Sequence, residues 1–178
     1  MKPRSRRHGR VLVHTGEGKG KSSSAFGVAF RAAGWGMQVC VIQFIKGRWQ
    51  TGEQRAAACF DNIEWHVKGE GFTWDTKNPQ RDRAVARAAW DFARAKILSE
   101  KYDLVVLDEI NYCCGYGWIS GREIAAFIRT RKPAWLHLIL TGRSAPPEVI
   151  EAADTVTEMR LVKHAYRQGI EAEQGIEF

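Results

Sequence analysis

This sequence lacks the features that mark membrane proteins and secreted domains. Its 178 residues contain no apolar run long enough to cross a membrane, and no hydrophobic signal-peptide segment follows the basic start. Internal repeats and low-complexity segments are also absent. We therefore expect a cytoplasmic protein without a membrane partner.

Cysteine is scarce, and its spacing excludes two further kinds of site. The four cysteines, Cys40, Cys59, Cys113 and Cys114, show neither zinc-ligand spacing nor the pattern of a secreted disulfide framework. We expect them to be free thiols, buried or partly buried.

The length and charge indicate one globular domain with a basic lead-in. Hydrophobic residues make up 44% of the chain, enough for one core of ordinary size, and the formal net charge is +7. Five cations lie within the first ten residues: Lys2, Arg4, Arg6, Arg7 and Arg10. They suit either a nucleic-acid arm or a solvated segment near an anionic ligand, and we favour the second. We expect a flexible lead-in over residues 1–9 and one domain over residues 10–178.

Apolar runs alternate with helical patterns along the chain. The runs Val39–Phe44, Leu104–Leu107 and Leu136–Leu140 are typical of parallel strands that are buried on both faces. Helices are predicted from Pro79 to Ser99, from a capping box of Ser120 and Glu123 to Arg129, and from Pro146 to about Ala153, before a last strand around Val156. This order predicts an α/β fold with a doubly wound, mostly parallel sheet of about six strands.

A glycine-rich loop follows the first apolar strand and ends in Gly20-Lys21-Ser22 at the start of a helix. Glycines let backbone N–H groups surround an anion, Lys21 can reach terminal phosphates, and the Ser22 hydroxyl can hold Mg²⁺. The match to G-x-x-x-x-G-K-[ST] is imperfect because Thr15 takes the first glycine position and Gly16 follows one place later. We predict a phosphate-binding loop for a nucleoside triphosphate.

Charged residues follow two later strands. Asp108 and Glu109 end an apolar strand in the manner of a Walker B element, which would help to hold Mg²⁺ directly or through water. Arg143 follows the next strand and is placed to contact phosphate oxygens, although it could instead pair with a structural carboxylate. Together with the glycine loop, these residues favour a nucleotide site.

Two large aromatic residues, Phe72 and Trp74, stand in a segment that follows Gly69 and Gly71. They could form a hydrophobic plug that anchors a loop, which the spacing alone slightly favours. They could also form an apolar wall against a flat organic ligand.

Eight motifs occur in an order and spacing that resemble the P-loop ATP:corrinoid adenosyltransferases. They are His14–Ser22, Gln43–Trp49, Gly52–Arg55, Gly71–Thr76, Val105–Ile110, Leu140–Arg143, Val162–Tyr166 and Gln174–Phe178. The resemblance runs from about Arg10 to the last residue. It implies a RecA-like P-loop fold and a homodimer.

The resemblance also implies a reaction and the residues that serve it. Such enzymes transfer the 5′-deoxyadenosyl group of ATP to the cobalt of a reduced corrinoid and release triphosphate, with ATP lying in a reversed sense in the loop. The implied ATP-binding residues are Thr15, Gly16, Gly18, Lys19, Gly20, Lys21, Ser22, Ser23 and Arg143. Ser22, Asp108 and Glu109 would hold Mg²⁺, Phe72 and Trp74 would lie beside the corrinoid, and Lys21, Arg143 and Glu109 would act in catalysis.

The family resemblance implies a flavoprotein-type reductase as electron donor. We do not expect nucleic acid as a partner. Glu17 stands where some members carry Asn, and we assign it no contact with the phosphates.

Three alternatives remain open: a RecA-like ATPase that acts on nucleic acid, a corrinoid carrier without turnover, and a small-molecule kinase.

Overall fold

The computed structural model describes residues 3–45, 50–69 and 79–177, apart from the side chain of Ser5. The strands are β1 Val11–Thr15, β2 Val39–Gln43, β3 Ile63–Val67, β4 Leu104–Asp108, β5 His137–Thr141 and β6 Thr155–Glu158. The α-helices are α1 Lys21–Gly34, α2 Gly52–Ala57, α3 Pro79–Leu98, α4 Ile110–Gly115, α5 Gly121–Thr130 and α6 Pro147–Glu151. Short 3-10 turns cover Arg4–Arg6 and Ala165–Gln168.

The strands form one six-stranded sheet in the order β3-β2-β4-β5-β1-β6, and every pair is parallel. The predicted doubly wound parallel sheet is therefore confirmed, and the arrangement is consistent with a RecA-like P-loop fold. The three apolar runs that predicted strands match β2, β4 and β5 to within one residue at each end. Because all strands are parallel, their carboxyl ends meet at one edge of the sheet.

The central strands are buried on both faces, which explains their continuous apolar sequence. In β4, Val105 and Leu107 pack into the core beneath α3 and α5, whereas Leu104 and Val106 pack on the opposite face. Helix α1 covers that second face with Ala25, Phe26 and Ala29, among others. The edge strand β6 is exposed throughout.

The predicted capping box of α5 is wrong in its contacts, although its position is right. Ser120 is the N-cap residue, but its side chain makes no capping hydrogen bond. The carboxylate of Glu123 instead accepts hydrogen bonds from Trp90 Nε1 at 2.7 Å and Arg87 Nη1 at 2.6 Å, both on α3. A tertiary contact therefore replaces the local one, because Trp90 is fully buried and its N–H needs an acceptor.

The basic N-terminal segment lies at the amino edge of the sheet. Arg4 Nε and Arg7 Nη1 contact Asp103 Oδ1 at 3.0 Å and 2.8 Å, just before β4 begins. The Gly9 N–H donates to the Ala134 carbonyl at 2.7 Å, shortly before β5. These contacts place residues 4–9 at the edge of the sheet opposite the glycine loop.

The cysteines follow the sequence-based expectation with one exception. All four are free thiols, with Cys40 and Cys113 buried and Cys114 partly buried, but the expected burial is wrong for Cys59, which is exposed in the turn after α2. Burial raises the pKa of Cys40 to about 12, which makes it a poor nucleophile. Among the described residues, no helix combines the length and apolarity needed to cross a membrane.

Candidate active site

The predicted site residues converge at the carboxyl edge of three adjacent strands. Thr15 ends β1, Thr141 ends β5 and Asp108 ends β4, and these strands are neighbours in the sheet. The glycine loop, residues 16–20, leaves β1 and enters α1 at Lys21. The parallel topology thus brings three segments that are distant in sequence to one place.

The glycine loop takes backbone conformations that need glycine at two positions. Gly16 has a φ of 94° and Gly20 a φ of 107°. Gly20 is the N-cap residue of α1, so the positive end of the helix dipole faces the loop. Ser22 and Ser23 lie in the first turn of α1, where their N–H groups and hydroxyls can meet an anion.

Glycine is also needed in this loop because the chain segment that follows β6 passes very close to it. The Gly18 N–H donates to the Met159 carbonyl at 2.6 Å, and the Met159 N–H donates to the Thr15 carbonyl at 2.8 Å. A Cβ atom at Gly16 would lie 2.6 Å from the Met159 carbonyl oxygen, and one at Gly18 would lie 2.7 Å from the Arg160 oxygen. These glycines therefore allow two backbones to cross closely. The Gly18 N–H is already used in a hydrogen bond within the protein.

Lys21 is held inside the loop that it completes. Its side chain is buried, and Nζ donates to the Gly18 carbonyl at 2.6 Å. Burial lowers the pKa of Lys21, while the nearby Glu109 carboxylate opposes that shift. The cation therefore lies at the loop for which a phosphate-binding role is predicted.

Two further cations at this edge contact carboxylates of the chain itself. Arg143 Nη1 lies 3.1 Å from Glu17 Oε2. Lys19 Nζ forms an ion pair with the carboxylate of Glu177, at the far end of the chain. The structure thus brings the predicted cations together, and it adds two acidic partners that the sequence pattern did not indicate.

Asp108 is a buried carboxylate held by neutral donors. Oδ2 accepts from Gln43 Nε2 at 2.9 Å, and Oδ1 accepts from the Thr141 hydroxyl at 2.8 Å. Trp65 Nε1 donates to Gln43 Oε1 at 2.9 Å and so fixes the orientation of the amide. These donors orient the carboxylate without neutralising its charge, which suits a cation ligand.

Glu109 has an unusual backbone conformation for a non-glycine residue. Its φ is 65°, and its N–H donates to Thr141 Oγ1 at 2.9 Å. Such a conformation costs on the order of 1 kcal/mol and persists only where the surroundings enforce it. It occurs directly after Asp108, at the edge that carries the glycine loop.

The predicted Mg²⁺ ligands are Ser22, Asp108 and Glu109. Within the part of the chain that the structure describes, no group of three or more His, Cys, Asp and Glu side chains could hold a metal ion. Mg²⁺ in nucleotide sites commonly uses one or two carboxylates, water and substrate phosphates. One hydroxyl and two carboxylates at this edge fit such a shared site.

Sequence reasoning missed several residues that shape this edge. Gln43 and Thr141 orient Asp108, and Asn111 Nδ2 donates to the Gly142 carbonyl at 3.2 Å. Gln43 offered one signal, because it is a polar residue at the end of a strand that is otherwise apolar and fully buried. The contacts of Met159 and Glu177 had no local signal at all.

The predicted corrinoid residues Phe72 and Trp74 lie outside the described residues. The described chain before them ends at Gly69, two residues after β3, and resumes with α3 at Pro79. Lys68 N–H donates to the Gln43 carbonyl at 2.9 Å, which places the end of β3 at the carboxyl edge.

A cavity of about 540 Å³ lies elsewhere, beside α1. Its lining includes Leu104 and His137, the first residues of β4 and β5, together with Trp35. Since those strands begin at the amino edge, the cavity is separate from the glycine loop, and we do not assign it to the nucleotide.

Over nearly its whole length, the chain is similar to proteins of a described family. A model of the family described as ATP:corrinoid adenosyltransferase BtuR/CobO/CobP matches residues 7–178. The chain belongs to this family. Curated corrinoid adenosyltransferases include one from Pseudomonas aeruginosa, 52% identical over 96% of this chain and 84% of its own length. Others, from a Sinorhizobium species and Escherichia coli K12, are 45% and 41% identical over 96% of this chain and 80% and 86% of theirs.

Membership makes the chain an enzyme, a corrinoid adenosyltransferase whose substrates are ATP and a corrinoid. The resemblance seen in the motifs is thereby confirmed. In this corrinoid adenosyltransferase, the glycine loop, Lys21 and the carboxylates after β4 are the natural candidates for the ATP side of the site.

Proposed function

We propose that the protein transfers the 5′-deoxyadenosyl group of ATP to the Co(I) centre of a reduced corrinoid in cobalamin synthesis or salvage, and releases triphosphate. Support comes from family membership and from one observation: three cations, Lys19, Lys21 and Arg143, surround a glycine loop at a helix N-terminus. Such a cluster suits a ligand with several negative charges.

The proposed step is a displacement at C5′ of ATP. The electron pair of Co(I) forms the Co–C bond while the bond between C5′ and the triphosphate oxygen breaks, and triphosphate leaves with that bonding pair. No proton has to move, so the site needs no general base. Its task is to position both substrates and to stabilise the departing charge.

The residues of the loop divide this task. Lys21 and Arg143 would stabilise the charge that develops on the triphosphate, with Lys19 as a further cation. The first turn of α1, with Ser22 and Ser23, would supply N–H groups to the phosphates. The N–H of Gly18 is engaged by Met159, so we assign Gly18 the role of allowing the two backbones to cross closely rather than of donating to phosphate.

Mg²⁺ would be held by Ser22, Asp108 and Glu109, and it would neutralise part of the triphosphate charge. We expect Asp108→Asn and Glu109→Gln each to raise the Mg²⁺ concentration needed for half-maximal activity, because a neutral amide is a poorer ligand for a hard cation. Titrating Mg²⁺ against both variants measures this. If Glu109→Gln instead lost phosphate release while its Mg²⁺ dependence stayed unchanged, Glu109 would be the base of a hydrolase.

On the corrinoid side, we propose that Phe72 and Trp74 exclude the lower axial ligand of cobalt and so ease reduction of Co(II). Replacing either with Ala should slow reaction from Co(II) corrinoid under a weak reductant much more than reaction from chemically prepared Co(I). Equal losses from both starting states, compared at a matched folded fraction, would mean that these aromatics only pack the loop.

The proposal extends to the setting of the reaction. We propose that residues 10–178 act as a single domain, that the protein works as a cytoplasmic homodimer, and that a flavoprotein-type reductase supplies the electron. A nucleic-acid role has less support, because Arg4 and Arg7 of the basic segment are engaged by Asp103.

The deciding experiment incubates the protein with ATP, Mg²⁺ and chemically reduced cobalamin. We expect the absorption spectrum to show formation of the Co–C bond, with inorganic triphosphate as the only phosphate product. Orthophosphate without a spectral change would support the RecA-like ATPase, and ADP would support a kinase. Cobalamin binding without any ATP consumption would support a carrier.

A further inference from the structure

The three cations at the carboxyl edge, Lys19, Lys21 and Arg143, differ in the partners that hold them. Lys21 Nζ contacts a backbone carbonyl, that of Gly18, whereas Arg143 and Lys19 contact carboxylates of Glu17 and Glu177. A carbonyl is neutral, but each carboxylate carries a full negative charge. Two cations of a polyphosphate site thus have anionic partners within the chain.

These two ion pairs are exposed enough to water for the cations to exchange their carboxylate partners for a ligand. The side chains of Arg143 and Glu17 are 48% and 59% exposed, and those of Lys19 and Glu177 are 54% and 22% exposed. Ion pairs with this much access to water are weak, since water screens them and holding long side chains costs entropy. A ligand with about four charges can therefore displace the carboxylates from both cations.

The C-terminal segment is attached to the loop at two points of different strength. Near its start, Met159 exchanges backbone hydrogen bonds with Gly18 and Thr15. Near its end, the side-chain pair of Lys19 and Glu177 joins it to the loop. The first attachment is built into the fold, whereas the second is of the kind that a phosphate can replace.

We propose that Glu17 and Glu177 are internal counter-anions that compete with polyphosphate for Arg143 and Lys19. The inference rests on the proposed function, in which a triphosphate lies at this loop. Triphosphate leaves with the bonding pair and therefore carries one more negative charge than it did within ATP, so a site built only of cations would retain it. Carboxylates that return to the cations weaken this retention and assist release of the product.

The test measures the dissociation constant of inorganic triphosphate by calorimetry, with and without Mg²⁺, at low and at physiological salt. Glu17→Gln and Glu177→Gln should each tighten binding about 3- to 10-fold at low salt, and the gain should shrink at higher salt. Glu171→Gln is the matched control, because Glu171 is an exposed carboxylate on the same segment, and it should leave binding unchanged.

A double-mutant cycle assigns the effect to the pairs. In a Lys19→Gln background, Glu177→Gln should no longer tighten binding, and in an Arg143→Gln background the same should hold for Glu17→Gln. Unchanged or weaker triphosphate binding in both single variants would overturn the inference. If Glu17→Gln bound triphosphate more weakly than wild type only when Mg²⁺ is present, Glu17 would be a metal ligand. Its role as a counter-anion would then be overturned.

Failure of the proposed function would look different. In that case the wild-type protein itself would form no Co–C bond and release no triphosphate, whatever residue stood at positions 17 and 177. If wild type transfers the adenosyl group and releases triphosphate, and the variants bind triphosphate as wild type does, the proposed function stands and only the counter-anion inference fails.

Discussion

The two edges of the sheet carry similar ion pairs that differ in their contact with water. At the amino edge, the Asp103 side chain is 6% exposed and that of Arg7 is 11% exposed. At the carboxyl edge, both members of the Arg143–Glu17 pair are about half exposed. The same chemical groups therefore serve as a fixed structural contact at one edge and as an exchangeable contact at the other.

The surroundings of Asp103 explain why its contacts are fixed. Besides Arg4 and Arg7, its Oδ2 accepts the Gln38 N–H at 2.9 Å. Arg4 also donates to the carbonyls of Glu100 and Lys101, so the guanidinium is engaged on several sides. No comparable backbone donors support Glu17 or Glu177 among the contacts of the described residues. A charge becomes structural when burial and several partners act together.

The largest effect should come from the cation at the centre of the carboxyl edge. Lys21→Ala is expected to lower kcat/KM about 10²- to 10³-fold while the protein remains folded, because a charge at the phosphates is lost and little core volume changes. Steady-state kinetics and denaturant unfolding measure the two quantities. The control is Lys101→Ala, which replaces an exposed lysine at the amino edge. Near wild-type activity of Lys21→Ala would refute the proposed role of Lys21 at the phosphates.

The amino edge should respond in stability rather than in activity. Asp103→Ala removes a buried carboxylate that accepts hydrogen bonds from Arg4, Arg7 and the Gln38 N–H, and it should lower the free energy of unfolding by about 2–3 kcal/mol. Turnover per folded molecule should not change. Urea unfolding with an activity assay at matched folded fraction measures both, and a selective loss of turnover would mean that this edge also serves catalysis.

The pKa of Asp103 offers a sharper test of the same contact. Burial would raise it, but hydrogen bonds from Arg4, the Gln38 N–H and Arg7 together hold it below its ordinary value of 3.8. A carboxyl with a lowered folded pKa stabilises the protein above its unfolded pKa, and this stability is lost as pH falls through the folded pKa. The stability difference between wild type and Asp103→Asn should therefore be constant near neutral pH and shrink below about pH 4. Urea titrations across pH measure it, and a difference independent of pH would argue against an ionised Asp103.

The smallest effect should be on the stability of the exposed pair. Glu17→Gln is expected to change the free energy of unfolding by less than about 0.5 kcal/mol, because water already screens its contact with Arg143. The same urea experiment at low salt measures this. A loss of about 2 kcal/mol would place Glu17 with Asp103 as a structural residue and remove the contrast between the two edges.

The fold was predictable where hydrophobic burial governs the sequence. β2, β4 and β5 are buried on both faces, so their residues must be apolar throughout and their pattern is easily recognised. β3 escaped prediction because it is an edge strand in which apolar and polar residues alternate and no residue is fully buried. The helix α4 is six residues long, too short for a helical period to be recognised.

The site was predictable to the extent that its chemistry is local. The loop around Lys21 and the carboxylates after β4 follow from short motifs, since strand, turn and helix are neighbours in sequence. The capping box at Ser120 failed for the opposite reason. Glu123 had two chemically reasonable partners, and only the position of α3 determined that Trp90 and Arg87 would use it.

By itself, the sequence determined the parallel α/β sheet, the glycine loop and the family, because each depends on neighbouring residues or on motif order. Only the tertiary structure decided which charges meet: Arg7 with Asp103 across 96 positions, Arg143 with Glu17, and Glu177 with Lys19. An ion pair depends on distance in space and on burial, and neither is encoded in the local pattern of either partner. The crossing of Met159 over Gly16 and Gly18 likewise follows from the placement of β6 beside β1.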